Sequence, residues 1–319
     1  MTNLLTLTRM RVQLALRNKM FFFFSMVMPL GFFFLYSSVF AKGDPDGVAY
    51  LLGPVLGLNV MGSFWGLSAT LVTFREQGIL RRFHVTPATA TDMLVSSILA
   101  NYALTLPTIA VELFLAHTLY HVPHLGNLLS VLLLVSLGTV SFGSLGLVIA
   151  SVTNTMQETQ VLNQLLWLPL IFLSGATIPF TSLSKSVQHI ALFLPATYLV
   201  HGLKNAIVND FGPSKILLAL VSLGVWFLLT LFLSSQLFRW EPEAKVGRKA
   251  KFYVAATAIP FILLGIWEAK NGRVIAEEGS TLQKLEAPHR SEKQDHSRPK
   301  MEKEDPDSSS PDSSKDVSH

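Results

Sequence analysis

Three groups of residues in this chain could carry chemistry. The first is a charged island, REQGILRRFHVTP, in which Arg75, Glu76, Arg81 and Arg82 fall within eight positions between two long apolar stretches. The second is a single carboxylate, Glu112, inside an apolar run, and the third is a set of histidines, His121, His124, His189 and His201. Each guanidinium placed at the middle of a bilayer costs roughly 2.5–3.5 kcal/mol, so the island must face water or a protein partner. A carboxylate within an apolar span is by default a candidate for proton or substrate handling, weighed equally against a group near the interface that reaches water or a neighbour. The histidines show no metal-ligand spacing. The chain has no Cys, which excludes a disulfide framework, a thiolate nucleophile and a Cys-ligated metal.

The elements that must position these groups are apolar helices. Hydrophobic residues make up 50% of the chain and charged residues only 14%, against about a quarter in soluble domains. Twenty of the charges lie within residues 270–319, so the preceding part is more apolar still. Runs of roughly 20 apolar residues suit transmembrane helices. The reading is an all-α polytopic membrane protein with spans at 21–41, 48–74, 93–119, 127–150, 161–180 and 216–238, and a seventh at 252–267. Residues 1–20 mix Arg9, Arg11, Arg17 and Lys19 with leucines, as an amphipathic helix lying in the interface does. From 269 to 319 the chain is polar and is expected to be disordered.

Charge asymmetry orients the spans. With the N-terminus inside, twelve Lys and Arg lie on the cytoplasmic side and only Lys42, Lys185, Lys204 and Lys215 lie outside. The net charge of +4 therefore calls for no nucleic-acid partner, because the cations cluster beside the bilayer. The segment 75–92 then faces the cytoplasm and can form a short helix with Ile79, Leu80 and Phe83 on one side. Thr86-Pro87 stops it, since Pro cannot continue a helix and restricts the residue before it. Such an element is suited to docking a soluble partner, although a solvated basic loop explains the charges alone.

The island resembles the segment after the second span of type-2 ABC transporter permeases, and residues 173–204, LSGATIPFTSLSKSVQHIALFLPATYLVHGLK, resemble the same family's connection between its fifth and sixth spans. The matching positions there are Gly175, Pro179, Pro195 and Tyr198. The resemblance covers about residues 5–240 and is nearest to drug and antibiotic exporters of the daunorubicin type. It implies a six-helix transmembrane domain over 21–240 that pairs with a second permease, as homodimer or heterodimer, and with cytosolic ABC ATPase subunits. It also implies that Arg75, Glu76, Gly78, Arg81, Arg82, Thr86 and Pro87 form the ATPase-coupling element. No G-x-x-x-x-G-K-[ST] loop occurs in this chain, so ATP and Mg are expected on the partner and no cofactor here.

The remaining expectations concern the substrate path. The outer segment 181–213 is read as two short helices dipping back into the membrane, because Pro195, His189, His201 and Lys204 interrupt its apolar run. Such backbone is tolerated only where protein or a watery cavity surrounds it. Glu112 and Asn59 are candidates for the path with Gly175, Pro179, Pro195 and Tyr198, while Asn59, Asn101, Asn163 and Gln164 suit interhelical hydrogen bonds better than substrate contact. Gly53 with Gly57, and Gly62 with Gly66, point to close helix packing. The basic linker and seventh span, 241–268, have no counterpart in the resemblance. The competing function is a membrane enzyme acting on lipid-linked substrates, but the ionisable groups do not converge as acid–base chemistry requires. An ion-coupled transporter is a weaker third reading.

Overall fold

Residues 2–79, 90–237 and 262–280 are described by the computed structural model, and among them the backbone is helical with no strand. Helix α1 spans Thr2–Arg17, and α2 spans Lys19–Leu35 and runs on as a π turn, Tyr36–Phe40. Asp44 then caps α3, Pro45–Met61, by accepting a bond from Gly47 N at 2.9 Å, with Pro45 preset for the first turn. After Gly62 the chain continues as α4, Ser63–Glu76. Next come α5, Ala90–Thr118, and α6, Leu128–Val152, whose cap is Asn127 accepting from Ser130 N at 3.0 Å. Thr155 caps α7, Met156–Leu173, in the same way. A 3-10 turn at Phe180–Ser182 leads to α8, Lys185–Ala191, α9, Pro195–Val208, and α10, Leu217–Leu237. Two short helices follow, α11 at 262–271 and α12 at 273–280.

Four stretches are long and apolar enough to cross a membrane among the described residues: Pro45–Glu76, Asp92–Thr118, Leu128–Val152 and Leu217–Leu237. Where a first span was expected, the apolar helix Ser25–Phe40 is shorter. The expected fifth span, 161–180, ends as helix at Leu173, because Gly175 takes φ +83° and Pro179 begins the next turn. Helices α8 and α9 are bent by 96° at Leu192–Leu194 and so form a hairpin rather than one straight rod. Of the expected seventh span, only residues 262–267 lie within the described part.

Helix α6 is the axis of the bundle, packed between α4 and α10 and touching α9. Gly138 of α6 lies against Val60 and Leu199, and Gly143 lies against Leu67, so small residues let the helices approach closely. Toward α10, Ser141 Oγ donates to the Leu223 carbonyl at 2.8 Å, and the Ser144 and Thr230 hydroxyls bond to each other. Leu128, Leu132, Leu228 and Phe232 are exposed on the outside of the bundle.

The bundle has two distinct ends. At one, Arg75 in the last turn of α4 meets Thr153, and Val148 and Val152 of α6 pack against Leu233 and Leu237 of α10. At the other lie the α8–α9 hairpin and Lys204, with Gly202 of α9 against Leu134 and Ala219. Helices α11 and α12 sit at this second end, where Gly265 meets the Phe193 ring. This corrects the expected start of a disordered tail at 269. Residues 269–280 are polar by composition, yet Val274 and Glu278 are buried, and Lys204 of α9 pairs with the Glu278 carboxylate. Residues 281–319 lie outside the described part.

Candidate functional site

At the Arg75 end, α4 is bolted to the link between α6 and α7. Arg75 is only 1% exposed, and its Nη1 donates to the Thr153 carbonyl at 2.8 Å. The next residue, Glu76, is exposed and accepts from Met156 N at 2.8 Å through Oε1. A Thr153–Thr159 hydroxyl bond of 2.8 Å closes the same link. The expected docking surface is therefore corrected at its first member: Arg75 points into the protein, not out of it. A buried guanidinium holds a carbonyl that has left the helix ladder, and the carboxylate beside it caps the start of α7. Gly78 ends the segment with φ +68°, a conformation that costs a non-glycine residue about 1–2 kcal/mol. Among the described residues no atom lies within 4 Å of a Cβ placed there, so within this part of the chain it is the turn that calls for glycine. Arg81, Arg82, Thr86 and Pro87 lie outside the described residues.

Deeper in the bundle, two polar pairs join helices. Asn59 Nδ2 of α3 donates to Glu112 Oε2 of α5 at 3.3 Å, and Glu112 is fully buried. Its other oxygen has no hydrogen-bond partner among the described residues. Asn163 Nδ2 of α7 donates to Ser68 Oγ of α4 at 2.9 Å, both groups being buried. Asn59 also lines a cavity of about 450 Å³ between α2, α3, α4, α5 and α7, whose other walls include Phe32, Tyr36, Trp65 and Trp167. The two indoles meet edge to face at 6.1 Å, and Phe64 lies 6.0 Å from Trp167. Asn101 reaches this cavity and a neighbouring one between α1, α4 and α5, and its Nδ2 is buried without a partner among the described residues.

At the opposite end, short bonds fold the hairpin. Tyr198 Oη donates to the Leu192 carbonyl at 2.8 Å, and Thr197 Oγ1 donates to Ala191 at 2.6 Å. Gln188 Nε2 donates to the Phe180 and Leu183 carbonyls at 3.1 and 2.9 Å. Pro195 begins α9, where its missing N–H costs nothing. Pro179 and Gly175 shape the entry, which Tyr36 reaches with a 3.3 Å bond to Thr177. So Gly175, Pro179, Pro195 and Tyr198 all belong to one turn-and-hairpin unit, while Asn59 and Glu112 sit together elsewhere in the bundle.

Helix α12 adds charges to this unit. Lys204 Nζ donates to Glu278 Oε2 at 2.6 Å and to Tyr50 Oη at 3.1 Å, over whose ring it also sits at 4.5 Å. His201 stands between Glu277 Oε2 at 2.8 Å and Glu278 Oε1 at 3.1 Å. Burial pushes the Glu278 carboxyl up, but the bond from His201 and the charge of Lys204 outweigh it and leave the pKa lowered to about 2. Sequence reasoning named His201 and Lys204 but missed their partners Glu277 and Glu278, along with Trp65 and Trp167, because each contact joins residues more than seventy positions apart. The one available signal was Lys204 itself, a lone cation in an apolar run.

Comparison with known proteins agrees with this architecture. The linearmycin resistance permease protein LnrN of Bacillus subtilis (strain 168) is 26% identical over 160 residues, 50% of this chain and 41% of that protein. The probable multidrug ABC transporter permease YbhS of Escherichia coli (strain K12) is 26% identical over 149 residues, 46% of this chain and 40% of that protein. The chain thus spans about two fifths of the length of the relatives it matches. Residues 2–208 match the family described as ABC-2 type transporter. The match runs from α1 through α9, taking in the buried arginine, the aromatic cavity and the hairpin, and the chain belongs to the ABC-2 type transporter family.

Proposed function

We propose that this chain is the transmembrane permease subunit of an ATP-driven exporter in the cell (inner) membrane, with its N-terminus and the Arg75 end in the cytoplasm. The chain supplies the path for a drug, a lipid or another amphipathic compound. ATP and Mg belong to a separate cytosolic ATPase, and a second permease, identical or related, completes the transporter. The observation that carries this reading is the cavity walled by Phe32, Trp65 and Trp167 with the Asn59–Glu112 pair at its side. An apolar, aromatic pocket with few polar groups is the kind of site that binds amphipathic molecules. The names of the two relatives, a linearmycin resistance permease and a multidrug permease, support the same class.

On this reading the coupling element works through two links. The ATPase engages the island from Glu76 onward, where Glu76 and Gln77 are exposed. Its motion passes through the Arg75–Thr153 and Glu76–Met156 bonds to α6 and α7, one of which lines the cavity. The membrane-enzyme alternative is not favoured, because Glu112 is paired with an amide and, among the described residues, no second acid or base bonds to it.

The test is reconstitution with and without a cognate ABC ATPase, measuring ATP hydrolysis while amphipathic compounds are added. Compound-stimulated hydrolysis should require both chains, and Trp167→Ala should blunt the stimulation by about tenfold while leaving the basal rate in place. Full transport by the permease alone would overturn the assignment.

A further inference from the structure

Arg11 carries a second ligand site, in a groove that adjoins the cavity just described. Helix α1 packs along the Arg75 half of α5, and Arg11 is only 9% exposed there. Its Nη2 lies 2.9 Å from Met93 Sδ, and its Cζ lies 5.5 Å from the Phe74 ring centre. Neither a thioether nor an aromatic face neutralises a guanidinium, and no carboxylate pairs with Arg11 among the described residues. Burial lowers its pKa to about 10, which still leaves it charged at neutral pH. A buried cation of this kind is costly unless an anion reaches it.

The space beside it fits such an anion only if the anion carries a tail. Arg11 lines a groove of about 470 Å³ between α1, α4 and α5, open along one side. Leu14, Leu67, Phe74, Ala100 and Leu104 make its walls apolar. Two of its hydroxyls are already committed, Thr70 to the Gly66 carbonyl and Ser97 to the Met93 carbonyl. Asn101 Nδ2 remains a buried donor with no partner among the described residues. A free phosphate would satisfy the guanidinium and leave the walls bare. A zwitterionic lipid would bring its own cation to a site that already has one. Arg9, Arg17 and Lys19 on or beside the same helix add to the positive field.

We infer that this groove holds an anionic phospholipid, with its phosphate at Arg11 and an acyl chain along Leu14, Leu67 and Phe74. The site is that of a resident lipid that fastens α1 to the bundle. It adjoins the proposed substrate path at Gly66, Asn101 and Leu104 but does not depend on transport.

The full chain is purified in detergent, incubated with dioleoyl phosphatidylglycerol or dioleoyl phosphatidylcholine, and washed, and retained lipid is counted by mass spectrometry. The wild type should keep about one phosphatidylglycerol per protomer and no phosphatidylcholine. Arg11→Gln should weaken phosphatidylglycerol binding at least about tenfold, and Arg11→Lys should fall between, since an ammonium keeps the charge without the guanidinium fork. Ala15→Trp fills the groove from α1, leaves the charge alone, and should also expel the lipid. Equal retention of the two lipids, or unchanged retention in Arg11→Gln or Ala15→Trp, overturns the inference. Displacement of phosphatidylglycerol by inorganic phosphate at matched concentration would reassign the site to a free anion. If Arg11→Gln does not yield a monodisperse protein, the lipid comparison and phosphate competition on the wild type decide alone.

Discussion

Lys204 and Glu278 form an ion pair of 2.6 Å in which both side chains are almost wholly buried, 1% and 3% exposed. The pair joins α9, inside the family's matched region, to α12, seventy residues beyond it. Breaking a buried pair from one side typically costs about 3–5 kcal/mol, because the surviving charge stays buried. Lys204→Met or Glu278→Gln should therefore expose α11 and α12 to protease and lower the midpoint of thermal unfolding in detergent. Lys204→Met combined with Glu278→Met should recover part of the loss. Additive damage in the double variant would mean that the two groups do not act on each other.

Acid should release the same contact. The folded pKa of Glu278, about 2, lies below its ordinary value of 4.5, so its contribution is complete above about 4.5 and is lost as the pH falls toward 2. Protease cleavage within 262–280, followed with an acid-active protease, should stay constant from pH 7 to 5 and rise below 4.5. In Glu278→Gln the part of the low-pH rise that belongs to Glu278 should be absent, since that position no longer carries a carboxylate.

At the other end, Arg75→Ala removes a charged donor from the Thr153 carbonyl and should destabilise the protein by about 1–3 kcal/mol. Glu76→Ala, on an exposed residue, should cost less than about 1 kcal/mol. Thermal unfolding separates the two, and ATP hydrolysis with the partner ATPase gives a further contrast. Arg75→Ala should lower stimulation through the loosened α4 end, whereas Glu76→Ala should lower it with the fold intact. Equal melting points for the two variants would contradict the buried role of Arg75.

Close packing makes a sharper demand at Gly53. A methyl group there would stand 2.7 Å from Lys204 N and 2.8 Å from its Cα, both backbone atoms. Gly53→Ala should thus cost about 1–3 kcal/mol by forcing α3 and α9 apart. Gly31→Ala meets nothing within 4 Å and should be neutral or slightly stabilising. Melting curves of the two variants, compared side by side, test the contact.

Glu112 gives a test of chemistry against packing. Glu112→Gln keeps an oxygen for Asn59 and should unfold like the wild type, whereas Glu112→Ala leaves the amide donor without its partner and should lose about 1–3 kcal/mol. If Glu112→Gln also transports normally, the carboxylate serves only to join α3 to α5.

The chain alone determined that this protein is a bundle of apolar helices, because a stretch such as Leu128–Val152 has a single low-energy arrangement in a bilayer, with every backbone group bonded within the helix. Local chemistry also marked its own boundaries, as at Asp44-Pro45, Asn127 and Pro195, where capping depends on residues within one turn. What the fold decided was the partner of each charge. Arg75 reads as one cation of a solvent-facing island until α6 and α7 bring Thr153 against it, and residues 269–280 read as a disordered tail until His201 and Lys204 meet Glu277 and Glu278. Helical and capping preferences act over a few residues and are written in their spacing. The partner of a buried charge is set by which helices pack side by side, and that is a property of the whole bundle.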